Sequence, residues 1–182
     1  MSELKLVMPS EAYLSSYLEA CIENAAEEVT TYTLHDPEQF GIWQHTIFKE
    51  YARQNRGWLL GRGIVPSTTF WSVIGDEFVG LGNIRHKLNP SLRRFGGNIG
   101  YMIRPSRWGQ GLGTRQLALL LKEADSLGIS LALVTCNRDN LGSRRVIEKN
   151  GGRYIDTIPN HIGGKDIETS RFWVPTRPEK QY

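Results

Sequence analysis

Residues 100–114, Gly-Tyr-Met-Ile-Arg-Pro-Ser-Arg-Trp-Gly-Gln-Gly-Leu-Gly-Thr, have types and spacing that can do chemistry. Gly109, Gly111 and Gly113 alternate with larger residues just ahead of an amphipathic run. Glycine lets a backbone approach a ligand closely and turn its N–H groups inward. The start of a helix adds a partial positive charge at the same place. A pyrophosphate is the natural occupant of such a turn, with Arg104, Arg107 and Arg115 flanking it. Two phosphate-loop grammars fail. A Walker A loop needs Lys and then Ser or Thr after its last glycine, whereas Thr114 follows Gly113 with no Lys before it. A dinucleotide loop needs Gly-x-Gly-x-x-Gly, whereas these glycines are spaced two and two. At this point a plain strand-to-helix turn serves the pattern as well. For proton transfer the sequence offers His86, Tyr101, Tyr154 and His161. His86 ends a strand and titrates in the useful range, although a histidine at a strand end is as readily a surface or hydrogen-bonded residue.

The elements that would position these residues follow from periodicity. Residues 10–26 read as a helix with Ser10 at its N-cap and Leu14, Tyr17, Leu18, Cys21 and Ile22 at helical spacing. Asp36-Pro37-Glu38 opens a second helix through Phe40, Trp43, Ile47, Phe48 and Tyr51, which Gly57 and the Gly61–Gly63 turn end. From Thr68 the period changes. Residues 69–74 and 77–84 form a hairpin around Gly75-Asp76, residues 89–94 a loop, and residues 96–103 a third strand. Residues 113–127 form a helix that Gly128 terminates, with Leu117, Leu120, Leu121, Ala124 and Leu127 on one face. Residues 129–136 are a nearly continuous apolar run, as in a central strand. A short helix at 140–150 and strands at 153–159 and 168–174, around Gly163-Gly164, complete the order. This predicts an α/β fold with a mixed sheet in a single domain over residues 1–175, and a tail over 176–182. Phe70, Trp71, Phe172 and Trp173 are expected to pack the sheet, and Tyr32, Trp43 and Trp58 lie in the N-terminal region.

Composition narrows the function classes. The chain has 182 residues, 40% of them hydrophobic, enough for one domain with a buried core. No run approaches the roughly 20 apolar residues of a membrane span, and the first ten residues lack the pattern of a secretory signal. Two cysteines, Cys21 and Cys136, make no disulfide framework and no zinc-finger set, so the expected compartment is the cytoplasm. Net charge is +3, but unevenly spread. Residues 1–50 hold nine acids and two bases, whereas residues 85–115 hold seven bases and no acid. Such a basic field attracts phosphate-bearing ligands, either nucleic acid or a phosphorylated cofactor, and is also compatible with a solvated surface.

Residues 104–114 resemble the acetyl-CoA loop of the GNAT superfamily of N-acetyltransferases, with its Arg/Gln-x-x-Gly-x-Gly/Ala pattern after a strand. Asn140-Leu-Gly-Ser143 resembles the family's Asn-x-x-Ser element, and residues 144–154, with Glu148-Lys149-Asn150-Gly151-Gly152, resemble the helix and turn that follow it. Residues 96–101 are similar to a bacterial subgroup of predicted acetyltransferases. The resemblance implies a mixed, mostly antiparallel central sheet flanked by helices, and an acetyl-CoA-dependent N-acetyltransferase acting on a small-molecule or peptide amine by direct attack on the thioester. It implies backbone contacts to pantetheine from Met102, Ile103 and Arg104, with an N–H near Met102 polarising the carbonyl. Gln110, Gly111, Gly113 and Thr114 would cradle the pyrophosphate, and Asn140 would bond the pantetheine arm; Asn140 also suits a helix N-cap, and Ser143 suits either a ligand or a structural role. His86 and Tyr154 are the candidate catalytic residues. Aligning on the glycines puts Trp108 where the family has Arg or Gln, with Arg107 one residue earlier. Ile147 stands where many relatives carry the Tyr that protonates the leaving thiolate, which motivates the alternative of a non-catalytic acyl-CoA-binding module. The glycine loop and the Asn140 element argue against nucleic acid, since phosphate-backbone binding needs neither. A homodimer is left open.

Overall fold

The computed structural model describes residues 3–27, 34–58, 60–162 and 164–177. Tyr32, Gly163 and the end of the expected tail lie outside them. Among the described residues seven strands form one sheet in the order β1-β2-β3-β4-β5-β7-β6. β1 is Leu4–Val7, β2 Ser67–Ile74, β3 Glu77–Arg85, β4 Ile99–Ile103, β5 Leu131–Asn137, β6 Arg153–Ile162 and β7 Lys165–Pro175. Every pairing is antiparallel except β4 with β5. The sheet is therefore mixed, as the element order predicted, and mostly antiparallel, as the family resemblance implied.

β1 was not predicted. Four residues are too few for an alternation to register, and its partner, β2, lies more than sixty residues downstream, with Leu4 opposite Ile74. The second predicted helix is split. Asp36 accepts a hydrogen bond from Glu38 N–H at 3.0 Å and starts a 3₁₀ turn. α2 (Phe40–Trp43) and α3 (Ile47–Arg56) follow, and Gly57 closes α3 in the left-handed region. The N-terminal helix begins as a 3₁₀ turn over Glu11–Tyr13 and continues as α1 (Leu14–Ala26). Ser10 is the turn's N-cap without a side-chain bond.

Two cores lie on opposite faces of the sheet. On one face α4 (Leu112–Ser126) and α5 (Leu141–Lys149) cover Ile84, Ile99, Val134 and Phe172 with Leu117, Leu120 and Ala124. Each fully buried leucine there contributes about 1.5–3 kcal/mol by leaving water. α4 can sit this close because β3 carries Gly82, where a Cβ would lie 2.5 Å from a Leu120 methyl. On the other face α1 and α3 seal an aromatic core, Tyr17, Trp43, Trp71 and Phe78, with Leu81 and Met102 beneath. Tyr17 stacks on Trp71 at 4.5 Å between ring centroids and meets Phe78 edge-on at 5.0 Å. Thr176 and Arg177, at the start of the expected tail, bond Ser130 O and the Asp125 carboxylate respectively.

Candidate active site

β4 and β5 touch at one register position, Ile99 opposite Val134. Beyond it β4 stays paired to β3 as far as Ile103, and β5 stays paired to β7 as far as Asn137, but the two strands no longer pair with each other. The sheet therefore opens in a V. Strand alternation decides which peptide groups face that opening. Arg104 N–H donates to Val79 O at 2.9 Å, and Arg85 N–H donates to Asn98 O at 2.7 Å, both across the β3–β4 seam. Residues 100 and 102, in phase with 98 and 104, thus point their peptides at β3, while Tyr101 and Ile103 point theirs at the opening. The expected backbone contacts narrow accordingly: Ile103 faces the opening, whereas Met102 and Arg104 face β3. The Met102 carbonyl is engaged as well, accepting from Gln116 Nε2 at 3.2 Å.

The glycine loop follows at the open end of β4. Pro105–Arg107 form a 3₁₀ turn, and residues 108–111 are exposed. Gly111 is the N-cap of α4 at φ 73°, a left-handed conformation that costs an L-residue about 1–2 kcal/mol. A Cβ on Gly111 would meet nothing within 4 Å, so its space is open. Gly113 is needed for another reason: a Cβ there would press on Val146 of α5 at 3.2 Å, so its absence lets the two helices close together. The 15-residue α4 thus starts, just after the exposed Gly111, with N–H groups that have no partner within the helix, and this fits a pyrophosphate. Gln110 reaches back to Ser106 O at 3.4 Å, and the Thr114 carbonyl accepts from Asn150 Nδ2 at 3.1 Å.

Trp108, in place of the motif's Arg or Gln, donates its indole N–H to Ile103 O at 2.7 Å while its ring stays 54% exposed. It pins the loop to the last residue of β4. Arg107 does not replace the lost cation, because its guanidinium is paired with Glu77. Arg104 is 4% exposed and engaged within the protein. It binds Glu23 with two nitrogens and reaches Glu77 Oε1 at 3.4 Å and Phe78 O at 3.1 Å. Burial works to raise the Glu23 pKa, but hydrogen bonds from Arg104 and Ser106 outweigh it and hold the carboxyl below its usual range. Arg85 donates to the carbonyls of Gly96 and Gly97. Three of the seven cations of the basic stretch are therefore engaged within the protein, which weakens the case for a phosphate field and for nucleic acid alike.

Asn140 is the N-cap of α5, its Oδ1 accepting from Ser143 N–H at 2.9 Å. Ser143 also meets the Tyr101 hydroxyl, Oγ to Oη 2.8 Å, tying β4 to α5. Burial raises the Tyr101 pKa, so that phenol stays protonated. Ile147 is fully buried in the core under α5, with Gly152 packed against it. His86 Nε2 lies 2.8 Å from Thr68 Oγ1, and the His86 backbone N–H donates to Pro66 O. Tyr154 is exposed on β6, two strands away from the opening, and bonds Thr157 at 3.0 Å. His161 pairs with Asp166 on the β6–β7 hairpin. The structure does not bring His86, Tyr154 or His161 to the opening or to the cavity described next.

Sequence reasoning missed that cavity. It holds about 260 Å³ on the α1/α3 face and is lined by Tyr17, His35, Tyr51, Gln54, Ser67, Thr69, Leu81 and Asn83. Leu81 and Asn83 stand opposite Met102 and Gly100 in the β3–β4 register, so the cavity floor lies one strand from the opening. His35 Nδ1 is 2.7 Å from Tyr17 Oη, and its ring packs against Trp43 at 4.8 Å between centroids. Burial lowers the His35 pKa against the opposing pull of Glu50. The available signal was a histidine next to the Asp36 cap, between aromatic-rich helices.

The sequence model of the acetyltransferase (GNAT) domain matches residues 4–153. No curated protein matches the sequence. Among solved structures, RimJ of Mycobacterium smegmatis, in complex with CoA-disulfide, is similar with a TM-score of 0.74 and 19% identity over 98% of this chain and 84% of its own. An acetyl transferase of Salmonella typhimurium that modifies the N-terminal serine of ribosomal subunit protein L7/L12 gives 0.67 and 17% over 96% of each chain. The microcin self-immunity acetyltransferase MccE, in complex with acetyl-CoA and AMP, gives 0.69 and 14% over 95% of this chain and 92% of its own.

Proposed function

The chain belongs to the GNAT acetyltransferase family, and from that premise we propose that its acceptor amine enters the cavity between α1, α3 and the sheet. It is an acetyl-CoA-dependent N-acetyltransferase, and the acceptor is a peptide or small-molecule amine. The observation that carries the reading is the adjacency of two features: a V between β4 and β5 that begins at Ile99/Val134, and a polar cavity whose floor residues pair with β4. The exposed loop of residues 108–111 and the N–H groups at the start of α4 hold the pyrophosphate. The peptide groups of Tyr101 and the Ile103 N–H face the pantetheine arm and the oxyanion that develops on the thioester carbonyl, while Trp108 holds the Ile103 carbonyl. Asn140, whose Oδ1 caps α5, offers its amide nitrogen at the same opening.

The acceptor class follows from the lining and from what the relatives do. The Salmonella enzyme modifies the N-terminal serine of a ribosomal protein, and a cavity of about 260 Å³ admits the amine-bearing end of a peptide rather than a folded surface. No helix among the described residues is long and apolar enough to cross a membrane, and Cys21 and Cys136 are free thiols, which suits work in the cytoplasm. The binding-module alternative finds no support. A thermal-shift screen with acetyl-CoA, CoA, ATP and NAD, followed by amine-dependent thiol release from acetyl-CoA, tests the reading. Stabilisation by acetyl-CoA and CoA is expected. Stabilisation by ATP or NAD but not by either thiol cofactor would refute it.

A further inference from the structure

Direct attack on a thioester leaves one proton without a destination. We propose that His35, through Nε2, takes that proton from the acceptor amine. This rests on the acetyltransferase reading above and deepens it. The other cavity side chains are phenols, aliphatic hydroxyls, carboxamides and one leucine. As classes, none of these accepts a proton at neutral pH, whereas a neutral imidazole does.

The ring is held on two sides, by Tyr17 Oη 2.7 Å from Nδ1 and by the Trp43 indole. When Nδ1–H donates to Tyr17 Oη, the lone pair sits on Nε2, at the opposite edge of the imidazole. The Tyr17 hydroxyl then turns its own proton to its other neighbour, the Tyr51 hydroxyl. Burial raises the Tyr17 pKa, so the phenol remains a proton carrier and never competes as a base. The groups facing His35 are Tyr17 and Cys21 on α1, Glu50 and Tyr51 on α3, and Asp36 beside it in the chain. Burial keeps the Cys21 thiol protonated, with a pKa pushed up to about 12. The Glu50 carboxylate favours the imidazolium that forms on proton uptake, and burial lowers the His35 pKa so that the ring starts neutral.

The step balances as follows. The acceptor arrives as an ammonium and passes one proton to His35 Nε2. The freed nitrogen lone pair forms the C–N bond to the thioester carbonyl, and the C–S bond breaks with its electron pair on sulfur. Nitrogen loses its second proton and the thiolate gains one, both by way of solvent, and the imidazolium returns its proton to bulk water. The net products are the amide, CoA thiol and one proton.

The test compares wild type with His35→Gln, which keeps an N–H donor toward Tyr17 but takes up no proton, and with His35→Ala. The probes are Ser-Ala-Ala amide and spermidine, with thiol release followed from pH 5.5 to 9.5. For His35→Gln, kcat/KM for the amine should fall about 10²–10⁴-fold at pH 7 with acetyl-CoA affinity unchanged. The deficit should shrink toward pH 9.5, where the amine deprotonates in solution. A His35→Gln variant that retains more than about a tenth of the wild-type rate at pH 7 would overturn the assignment. Imidazole ¹⁵N NMR of wild type decides it independently of any acceptor: a proton on Nδ1 with Nε2 bare at pH 8 is expected, and a proton on Nε2 refutes it. Absence of amine-dependent thiol release by wild type, together with absent acetyl-CoA binding, would count against the acetyltransferase reading and not against the tautomer.

Discussion

Arg104→Met removes a guanidinium that ties α1 to the start of the cofactor loop. The arginine side chain is 5% exposed and holds Glu23, Glu77, Ser16 and the Phe78 carbonyl. Breaking a buried ion pair by removing one partner costs about 3–5 kcal/mol. Here both carboxylates are 29% exposed, and each keeps a second donor, Ser106 for Glu23 and Arg107 for Glu77. Water and those donors absorb part of the loss, so about 2–3 kcal/mol is expected. For a chain of this size that lowers Tm by roughly 4–12 °C at pH 7, read by circular dichroism. The pH dependence has a definite sign. Glu23 is depressed in the folded state, so its contribution is complete above the unfolded carboxyl value of about 4.3 and is lost as pH falls through the lower folded value. The gap between wild type and Arg104→Met should therefore be full at pH 7 and narrow below about pH 4. Residues 104–108 also lose their anchor on α1, so KM for acetyl-CoA should rise. A variant melting within about 1 °C of wild type at pH 7 would refute the argument, as would a gap that widens in acid.

Gly111→Val should fold, because its Cβ meets nothing, but the left-handed N-cap is barred to a β-branched residue; acetyl-CoA binding, measured by calorimetry, should be lost. Ile147→Tyr should lower stability by about 1–3 kcal/mol in denaturant titration and leave thiolate release no faster, since the position faces the core. His86→Ala should lose its Thr68 bond and about 1 kcal/mol of stability while turnover in the thiol-release assay stays near wild type. Asn140→Ala removes the α5 cap and should cost about 1 kcal/mol in a thermal melt.

Local features were legible in the order of residues. The Asp36-Pro37-Glu38 helix start, the Gly75-Asp76 hairpin, the leucine face of α4 and the glycine alternation at 109–113 all act within one turn of their own position. The family resemblance rested on that same stretch. What escaped were properties of pairs distant in sequence. Arg104 read as part of a phosphate field because its carboxylate partners come from positions 81 and 27 residues away. Trp108 read as a lost cation, whereas its indole bonds the end of β4. Ile147 read as a missing acid because helical spacing alone does not say which side of α5 meets the sheet. His35 acquired meaning only when α1, α3, β2 and β3 closed a cavity around it. Periodicity and turn chemistry specify the elements, because they depend on near neighbours. The site depends on which charges and hydroxyls the packing brings within 3 Å, and burial then sets their protonation, which no local pattern encodes.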